Sequence, residues 1–184
     1  MNLPAGPFDV LLLDPPWSHY GQQDKWGAAA KFYSLMDDDA LRAMAILGLT
    51  KPSSVVFMWA TCPRLDFAID LLRHWGFAYR GVSFAWVKAT KAGRPIGARG
   101  VRPSIVKPTT ELVLAGSRTA KGRPMPVADE AVAQVVLAPI GRHSEKPVEV
   151  YNRIERVYPK ASRLELFARA RREGWESWGD EVEG

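Results

Sequence analysis

An acid, two prolines and a tryptophan follow the apolar run FDVLLL at positions 8–13, as Asp14, Pro15, Pro16 and Trp17. The run has the length and composition of a buried strand, so we expect the acid at the carboxyl end of that strand. Proline lacks an N–H group and fixes its own backbone, so the turn should be rigid and present its carbonyl oxygens as acceptors. The ionised aspartate only accepts hydrogen bonds, and the indole adds a flat apolar surface.

This set of groups suits a planar ligand that carries an amine, such as an adenine with its exocyclic N6. The lone pair of that nitrogen is delocalised into the ring, which makes it a poor nucleophile. Fixed acceptors on both N–H bonds would favour a tetrahedral nitrogen and stabilise the positive charge that develops on it. The same four residues also fit a plain strand end, a proline turn and a core tryptophan, so the motif alone leaves both interpretations open.

The elements around the motif predict an α/β fold, a mostly parallel sheet with helices on both faces. Ligands bind at the carboxyl ends of strands in such sheets, where Asp14 and Arg169 are expected. The length suits a single domain over residues 1–184. We predict strands at 8–13, 54–60, 78–88, 111–115, 132–137 and 163–168, helices at 37–49, 63–75 and 147–157, and loops at 18–34 and 89–108.

The positive charge of the chain is concentrated in one region. Residues 71–128 contain eleven lysines and arginines but a single acid, Glu111, which gives this region a net charge of +10. Since the whole chain has a net charge of +5, the remaining residues carry 5 − 10 = −5. A polyanion such as a nucleic acid is one explanation, and a solvated basic loop without a partner is the other. We expect the basic loop at 89–108 to be flexible without ligand. The predicted phosphate contacts are Lys88, Lys91, Arg94, Arg99, Arg102 and Lys107.

The composition disfavours several other classes of protein. Cys62 is the only cysteine, which excludes an intrachain disulfide and a zinc site built from several cysteines. The three histidines are scattered, so we expect no bound metal. We expect a cytoplasmic protein without a membrane segment, because the sequence has neither a signal-like start nor a long apolar run.

Four motifs occur in the order of one known family: DPPW at 14–17, GRHSEKP at 141–147, RLELFAR at 163–169 and GWESWGDE at 174–181. Together they resemble the adenine-N6 methyltransferases named after the seventy-kilodalton subunit of the mRNA adenosine methyltransferase. The resemblance extends from Phe8 to Glu181. It implies a Rossmann-like methyltransferase fold, S-adenosylmethionine (SAM) as the methyl donor, and a permuted order in which the catalytic motif precedes the cofactor strand.

The resemblance also implies roles for individual residues. Asp14, Pro15, Pro16 and Trp17 would form the catalytic loop, and Asp14 would also contact the methionine part of SAM. Lys146 would bind the cofactor carboxylate, because a cation suits that group. The other predicted cofactor contacts, for the ribose and adenine of SAM, are Glu165, Leu166, Arg169, Arg171, Asp180 and Glu181.

The leading hypothesis is methyl transfer from SAM to the N6 amine of adenine in DNA, with the base flipped or single-stranded. The same reaction on RNA is the alternative. A non-catalytic nucleic-acid-binding subunit of a methyltransferase complex is a third possibility, and transfer to a small amine or a glutamine amide is a fourth. A homodimer or a partner subunit is compatible with each of them.

Overall fold

The computed structural model describes residues 3–17, 35–97, 105–141 and 145–182. The predicted loop at 18–34 lies outside this part of the chain. Residues 98–104 of the predicted basic loop also lie outside it, and with them the predicted contacts Arg99 and Arg102.

The described residues form a seven-stranded sheet with helices on both faces, which confirms the predicted α/β class. The strands follow the order β5-β3-β4-β2-β1-β6-β7 across the sheet. The strands are β1 (Phe8–Leu13), β2 (Thr50–Thr61), β3 (Ala78–Ala89), β4 (Thr110–Ser117), β5 (Val135–Pro139), β6 (Arg163–Leu166) and β7 (Glu176–Trp178). The helices are α1 (Asp38–Ala43), α2 (Leu65–His74) and α3 (Val148–Val157), with short 3₁₀ turns at Ile46–Leu49 and Cys62–Arg64.

The sheet is mostly parallel, with one strand reversed. β4 runs antiparallel to β2 and β3, whereas the other four strand pairs are parallel. In the register of the sheet, Glu111 at the start of β4 therefore stands opposite Thr61 and Trp86, near the ends of β2 and β3. The reversal brings the beginning of β4 to the edge where β1, β2, β3 and β6 end.

Two apolar clusters hold the helices against opposite faces of the sheet. The first cluster packs α1 and α2 against one face and includes Leu11, Leu13 and Leu71. The second packs α3 against the other face and includes Leu12 and Ile154. Because side chains alternate along a strand, β1 contributes to both clusters and is buried from Val10 to Leu13. β1 is thus a rigid base for the residues that follow it.

Three predicted elements differ from the structure. The predicted helix at 37–49 stops at Ala43, because Met44 is extended and a separate 3₁₀ turn follows. The strand predicted at 132–137 lies at Val135–Pro139. The last strand ends at Leu166, because Phe167 adopts a left-handed φ of 63°. The three-residue strand β7 was not predicted, since the segment has the composition of a tail.

None of the helices in the described part of the chain has the length and apolar character of a membrane span. Among the same residues, no three His, Cys, Asp or Glu side chains are grouped closely enough to hold a metal ion.

Candidate active site

The charged side chains of the candidate site lie at one edge and on one face of the sheet. Asp14 continues the alternation of Val10 and Leu12, so its side chain lies on the face that α3 covers. Glu111 and Lys88 lie on that face because Val113 and Trp86, two residues away on their strands, belong to the same cluster. Glu165 does so as well, because its neighbours Leu164 and Leu166 belong to the opposite cluster. All four charged side chains stand at the edge where β1 ends.

Lys146 joins this group from the segment that leads into α3. Its Nζ lies 2.8 Å from Oδ2 of Asp14, and the two side chains are 12% and 21% exposed. These residues are 132 positions apart in the sequence. The structure therefore brings together the acid of the DPPW motif and the lysine of the GRHSEKP motif, as the resemblance predicted.

The network continues through two residues that were not predicted to act together. Nζ of Lys146 is 3.5 Å from Oε2 of Glu111, and Nζ of Lys88 is 2.5 Å from Oε1 of the same carboxylate. The indoles of Trp59 and Trp86 lie beneath the ammonium groups of Lys146 and Lys88, 5.3 Å away in each case. Charges thus alternate along the edge in the order Asp14, Lys146, Glu111 and Lys88.

The alternation keeps the buried groups ionised. Burial disfavours the charged form of Lys146, but Asp14 and Glu111 outweigh burial and raise the pKa of the ammonium above its ordinary value. Burial would likewise raise the pKa of Glu111, but Lys146 and Lys88 outweigh it and hold that pKa below its ordinary value. The four side chains are two acids and two lysines, so their formal charges balance.

The carbonyl groups of the two prolines are fixed but already bonded once. The oxygen of Pro15 accepts the N–H of Trp17 at 2.9 Å, and that of Pro16 accepts the N–H of Met36 at 2.9 Å. A carbonyl oxygen has two lone pairs, so each keeps one for a ligand amine. The N–H of Asp14 points to the oxygen of Leu166 at 3.4 Å, which ties the motif to β6.

The burial of Trp17 agrees with one of the two interpretations that the sequence left open, a core tryptophan. Its side chain is 6% exposed and belongs to the first apolar cluster, where it packs edge-to-face against Phe67 at 6.3 Å. An indole buried in this way presents little of its face to solvent. Its contribution is to anchor the turn that carries Asp14.

Glu165 stands beside the charged network on β6. Its Oε1 accepts the hydroxyl of Tyr151 at 2.6 Å, and the guanidinium of Arg172 lies 3.9 Å from the centre of the Tyr151 ring. Burial raises the pKa of Glu165 above its ordinary value, although the bond from Tyr151 opposes the shift. Ser177 is the partner of Glu165 on β7, and its buried hydroxyl makes no hydrogen bond.

A close crossing of two chain segments fixes the residues after β6 and β7. The N–H of Ala168 donates to the oxygen of Trp178 at 2.9 Å, and the rings of Phe167 and Trp178 meet edge-to-face at 5.7 Å. Gly179 makes the crossing possible, because a Cβ there would lie 2.3 Å from the oxygen of Ala168. The crossing sets the distance between the two predicted cofactor segments at 165–171 and 180–181.

The remaining predicted cofactor residues have different environments. Arg169 lies 3.9 Å from the carboxylate of Glu181, and Arg171 donates to the oxygen of Val182 at 3.4 Å. Asp180 is exposed next to them. The side chain of Leu166 is completely buried in the first apolar cluster, so only its backbone faces the site.

Four of the predicted phosphate contacts lie in the described part of the chain, and three of these side chains are exposed to solvent. Lys91, Arg94 and Lys107 are exposed on the two arms of the 89–108 segment. Both arms start at the catalytic edge, since the N–H of Ile96 donates to the carbonyl oxygen of Lys88, and the N–H of Lys88 donates to the carbonyl oxygen of Thr109. Lys88 is the exception, because its side chain is 16% exposed and paired with Glu111.

A model of the MT-A70 family matches residues 8–181. The chain belongs to the MT-A70 family. Matched relatives are named as N(6)-adenosine and N(6)-adenine methyltransferases, so the predicted family, fold class and reaction class are confirmed.

Individual relatives of this MT-A70 protein differ in how much of their length it covers. It is 30% identical to the type II methyltransferase M.MunI of a Mycoplasma species, over 98% of this chain and 80% of M.MunI. It is 30% identical to the N(6)-adenosine-methyltransferase MT-A70-like protein of Arabidopsis thaliana, over 97% of this chain but 24% of that protein. The human N(6)-adenine-specific methyltransferase METTL4 is 28% identical, over 95% of this chain and 37% of METTL4.

Proposed function

We propose that this MT-A70 protein uses SAM to methylate the N6 amine of adenine in DNA. The observation that carries the proposal is the 2.8 Å contact between Asp14 and Lys146. It places an acceptor for an amine directly beside a cation for a carboxylate, at the strand edge where α/β proteins bind ligands. A methyl acceptor and an amino-acid-containing donor require this pair of groups side by side.

The residues at this edge fit SAM by their chemistry. Lys146 is the group for the cofactor carboxylate, since an ammonium in a neutral set of charges can accept one more anion. Glu165 is a largely buried carboxyl group whose pKa is raised by burial, and Ser177 beside it has a hydroxyl without a partner. Ribose hydroxyl groups would satisfy both side chains. SAM, when bound, supplies a sulfonium methyl group, which N6 takes up as it loses a proton, and S-adenosylhomocysteine is the other product.

The chain's own contribution to the reaction is to hold and orient the amine. The carboxylate of Asp14 and the free lone pair on a proline carbonyl can accept the two N–H bonds of N6. Accepting both bonds holds the nitrogen with its lone pair directed away from them and stabilises its growing positive charge. Since Pro15, Pro16 and the buried Trp17 fix the turn, little reorganisation is needed when the base enters.

The exposed cations support a nucleic acid as the substrate. Lys91, Arg94 and Lys107 lie on a segment whose two arms leave the catalytic edge, so they can neutralise phosphates next to an extruded base. We propose DNA because the chain matches 80% of the length of M.MunI, and a type II methyltransferase of this kind acts on DNA. RNA is the second candidate, because several relatives are named as adenosine methyltransferases, although the chain spans only a quarter to a third of them.

Methyl transfer from labelled SAM to single-stranded DNA, duplex DNA and RNA of matched sequence tests the choice of substrate. Higher kcat/KM on either form of DNA would support the proposal, and higher kcat/KM on RNA would replace it by the second candidate. SAM binding without transfer to any of the three polymers would favour a non-catalytic subunit instead.

A further inference from the structure

Lys88 and Glu111 form a largely buried ion pair next to the predicted carboxylate-binding lysine. The two side chains are each 16% exposed, and their charged atoms are 2.5 Å apart. A side chain that contacts DNA phosphates needs an accessible cationic group, as Lys91 and Arg94 have. Lys88 instead directs its charge into the site, toward a carboxylate that also faces Lys146.

Glu111 gives Lys146 a second fixed partner. The ammonium group lies between Asp14 at 2.8 Å and Glu111 at 3.5 Å, above the ring of Trp59. An ammonium group has three N–H bonds, and among the described residues these two carboxylates are its anionic partners. One N–H bond is therefore left for a ligand, and its direction is set by the other two.

A second carboxylate beside Lys146 would by itself oppose the binding of an anion. Asp14, Glu111 and Lys146 together carry a net charge of −1, which would repel an incoming carboxylate in a poorly solvated site. With Lys88 included, the net charge of the group is zero. Lys88 thus allows Glu111 to orient Lys146 without an electrostatic penalty for the ligand.

We propose that Lys88 is a positioning residue for cofactor binding: it neutralises Glu111, which in turn holds Lys146 in place for the carboxylate of SAM. The inference rests on the proposed use of SAM. It replaces the predicted role of Lys88 as a phosphate contact.

Calorimetric titration with SAM at pH 8 tests the proposal in four variants. Lys88→Met should raise the Kd for SAM about ten- to thirty-fold, because the site gains a net negative charge near the ligand carboxylate. Lys88→Arg should stay within about threefold of the unmodified protein, because the positive charge is kept. The double variant Lys88→Met/Glu111→Gln should recover most of the loss, since neutrality is restored. Lys51→Met removes a similar lysine–carboxylate pair, to Asp9 at 2.7 Å, at the opposite end of β1 and should leave the Kd unchanged.

A ligand without the carboxylate separates this effect from a general loss of structure. 5′-Methylthioadenosine shares the adenosine part of SAM, so Lys88→Met should change its Kd less than twofold. An equal loss of affinity for both ligands would overturn the proposal. So would an unchanged Kd for SAM together with a higher KM for DNA, which would return Lys88 to phosphate binding. If the unmodified protein does not bind SAM at all, the proposed function itself fails, and that result is separate from these.

Discussion

Gly179 provides a test of the cofactor-binding edge that changes no polar group. A Cβ at this position would lie 2.3 Å from the oxygen and 2.7 Å from the nitrogen of Ala168. Ordinary contact begins at 3.4 Å, so the overlap with the oxygen is 3.4 − 2.3 = 1.1 Å. Both contacts are backbone atoms and cannot rotate away. Gly179→Ala must therefore push the segments after β6 and β7 apart by about 1 Å.

Two costs follow from this displacement. Overpacking of this kind costs about 1–3 kcal/mol, and the bond from Ala168 N–H to the Trp178 oxygen, worth about 1 kcal/mol, would be stretched or lost. A total of about 3 kcal/mol should lower Tm by about 6–12 °C in a domain of this size. The same shift moves Asp180 and Glu181 away from Arg169, so the affinity for SAM should fall about tenfold or more.

Thermal unfolding and calorimetric SAM binding measure the two effects on the same samples. Gly48→Ala is the matched control, because no atom outside the adjoining backbone lies within 4 Å of a Cβ at Gly48. It should leave Tm within about 2 °C and should not alter SAM binding. If Gly179→Ala behaved like Gly48→Ala in both measurements, the close crossing of the two segments would be refuted.

Further predictions concern the buried acid, the tryptophan and the basic surface. Burial raises the pKa of Glu165, so this group favours the folded state below pH 4.5 and loses that contribution as the pH rises through its folded pKa. In urea unfolding, Glu165→Gln should therefore be more stable than the unmodified protein at pH 7 but not at pH 4. The same variant should lose SAM binding. Trp17→Ala should reduce the free energy of unfolding by about 3–5 kcal/mol, as for other buried aromatics, whereas a stacking role would reduce activity and leave stability unchanged. Replacing Lys91, Arg94 and Lys107 by alanine should reduce the slope of log K against log salt for DNA by about 0.9 per lost phosphate contact and leave the Kd for SAM unchanged; an unaltered slope would place DNA elsewhere.

The parts of the site that follow strong local signals could be predicted from the sequence. A buried apolar run that ends in Asp14 indicates a strand end, and the order of four motifs indicated that Lys146 lies close to it. Proline at the start of a helix and apolar spacing likewise located α3. Each of these signals comes from a short segment and does not depend on the order or direction of the strands in the sheet.

The roles of Glu111, Lys88 and Trp17 depend on packing that no local pattern carries. Glu111 reaches the site because β4 runs antiparallel to its neighbours. The sequence could not indicate this direction, because apolar and polar residues alternate along a strand in the same way whichever way it runs. The signal that could have indicated its importance was its isolation as the single acid among eleven cations. Lys88 was predicted to contact phosphate at the end of its strand, whereas β3 extends to Ala89 and holds it on the covered face.

Trp17 shows why the residue type alone did not determine its role. A tryptophan after two prolines can either stack on a ligand or fill a core, and the choice depends on the cluster formed by Leu41 and Phe67. Neither residue is close to the motif in sequence. The same holds for Ser177, whose proximity to Glu165 depends on the short strand β7.

The proposed reaction requires the carboxylate of Asp14 to act in methyl transfer to adenine N6. The most direct test is transfer from SAM carrying a deuterated methyl group to adenine-containing DNA, followed by mass spectrometry of the nucleosides, for the unmodified protein and for Asp14→Ala. Calorimetry on both proteins measures the SAM that each binds, so the product can be compared at equal occupancy. We predict deuterated N6-methyldeoxyadenosine from the unmodified protein and at least a hundredfold less from the variant. Equal amounts of product from both proteins, or a methyl group on any atom other than N6, would contradict the account.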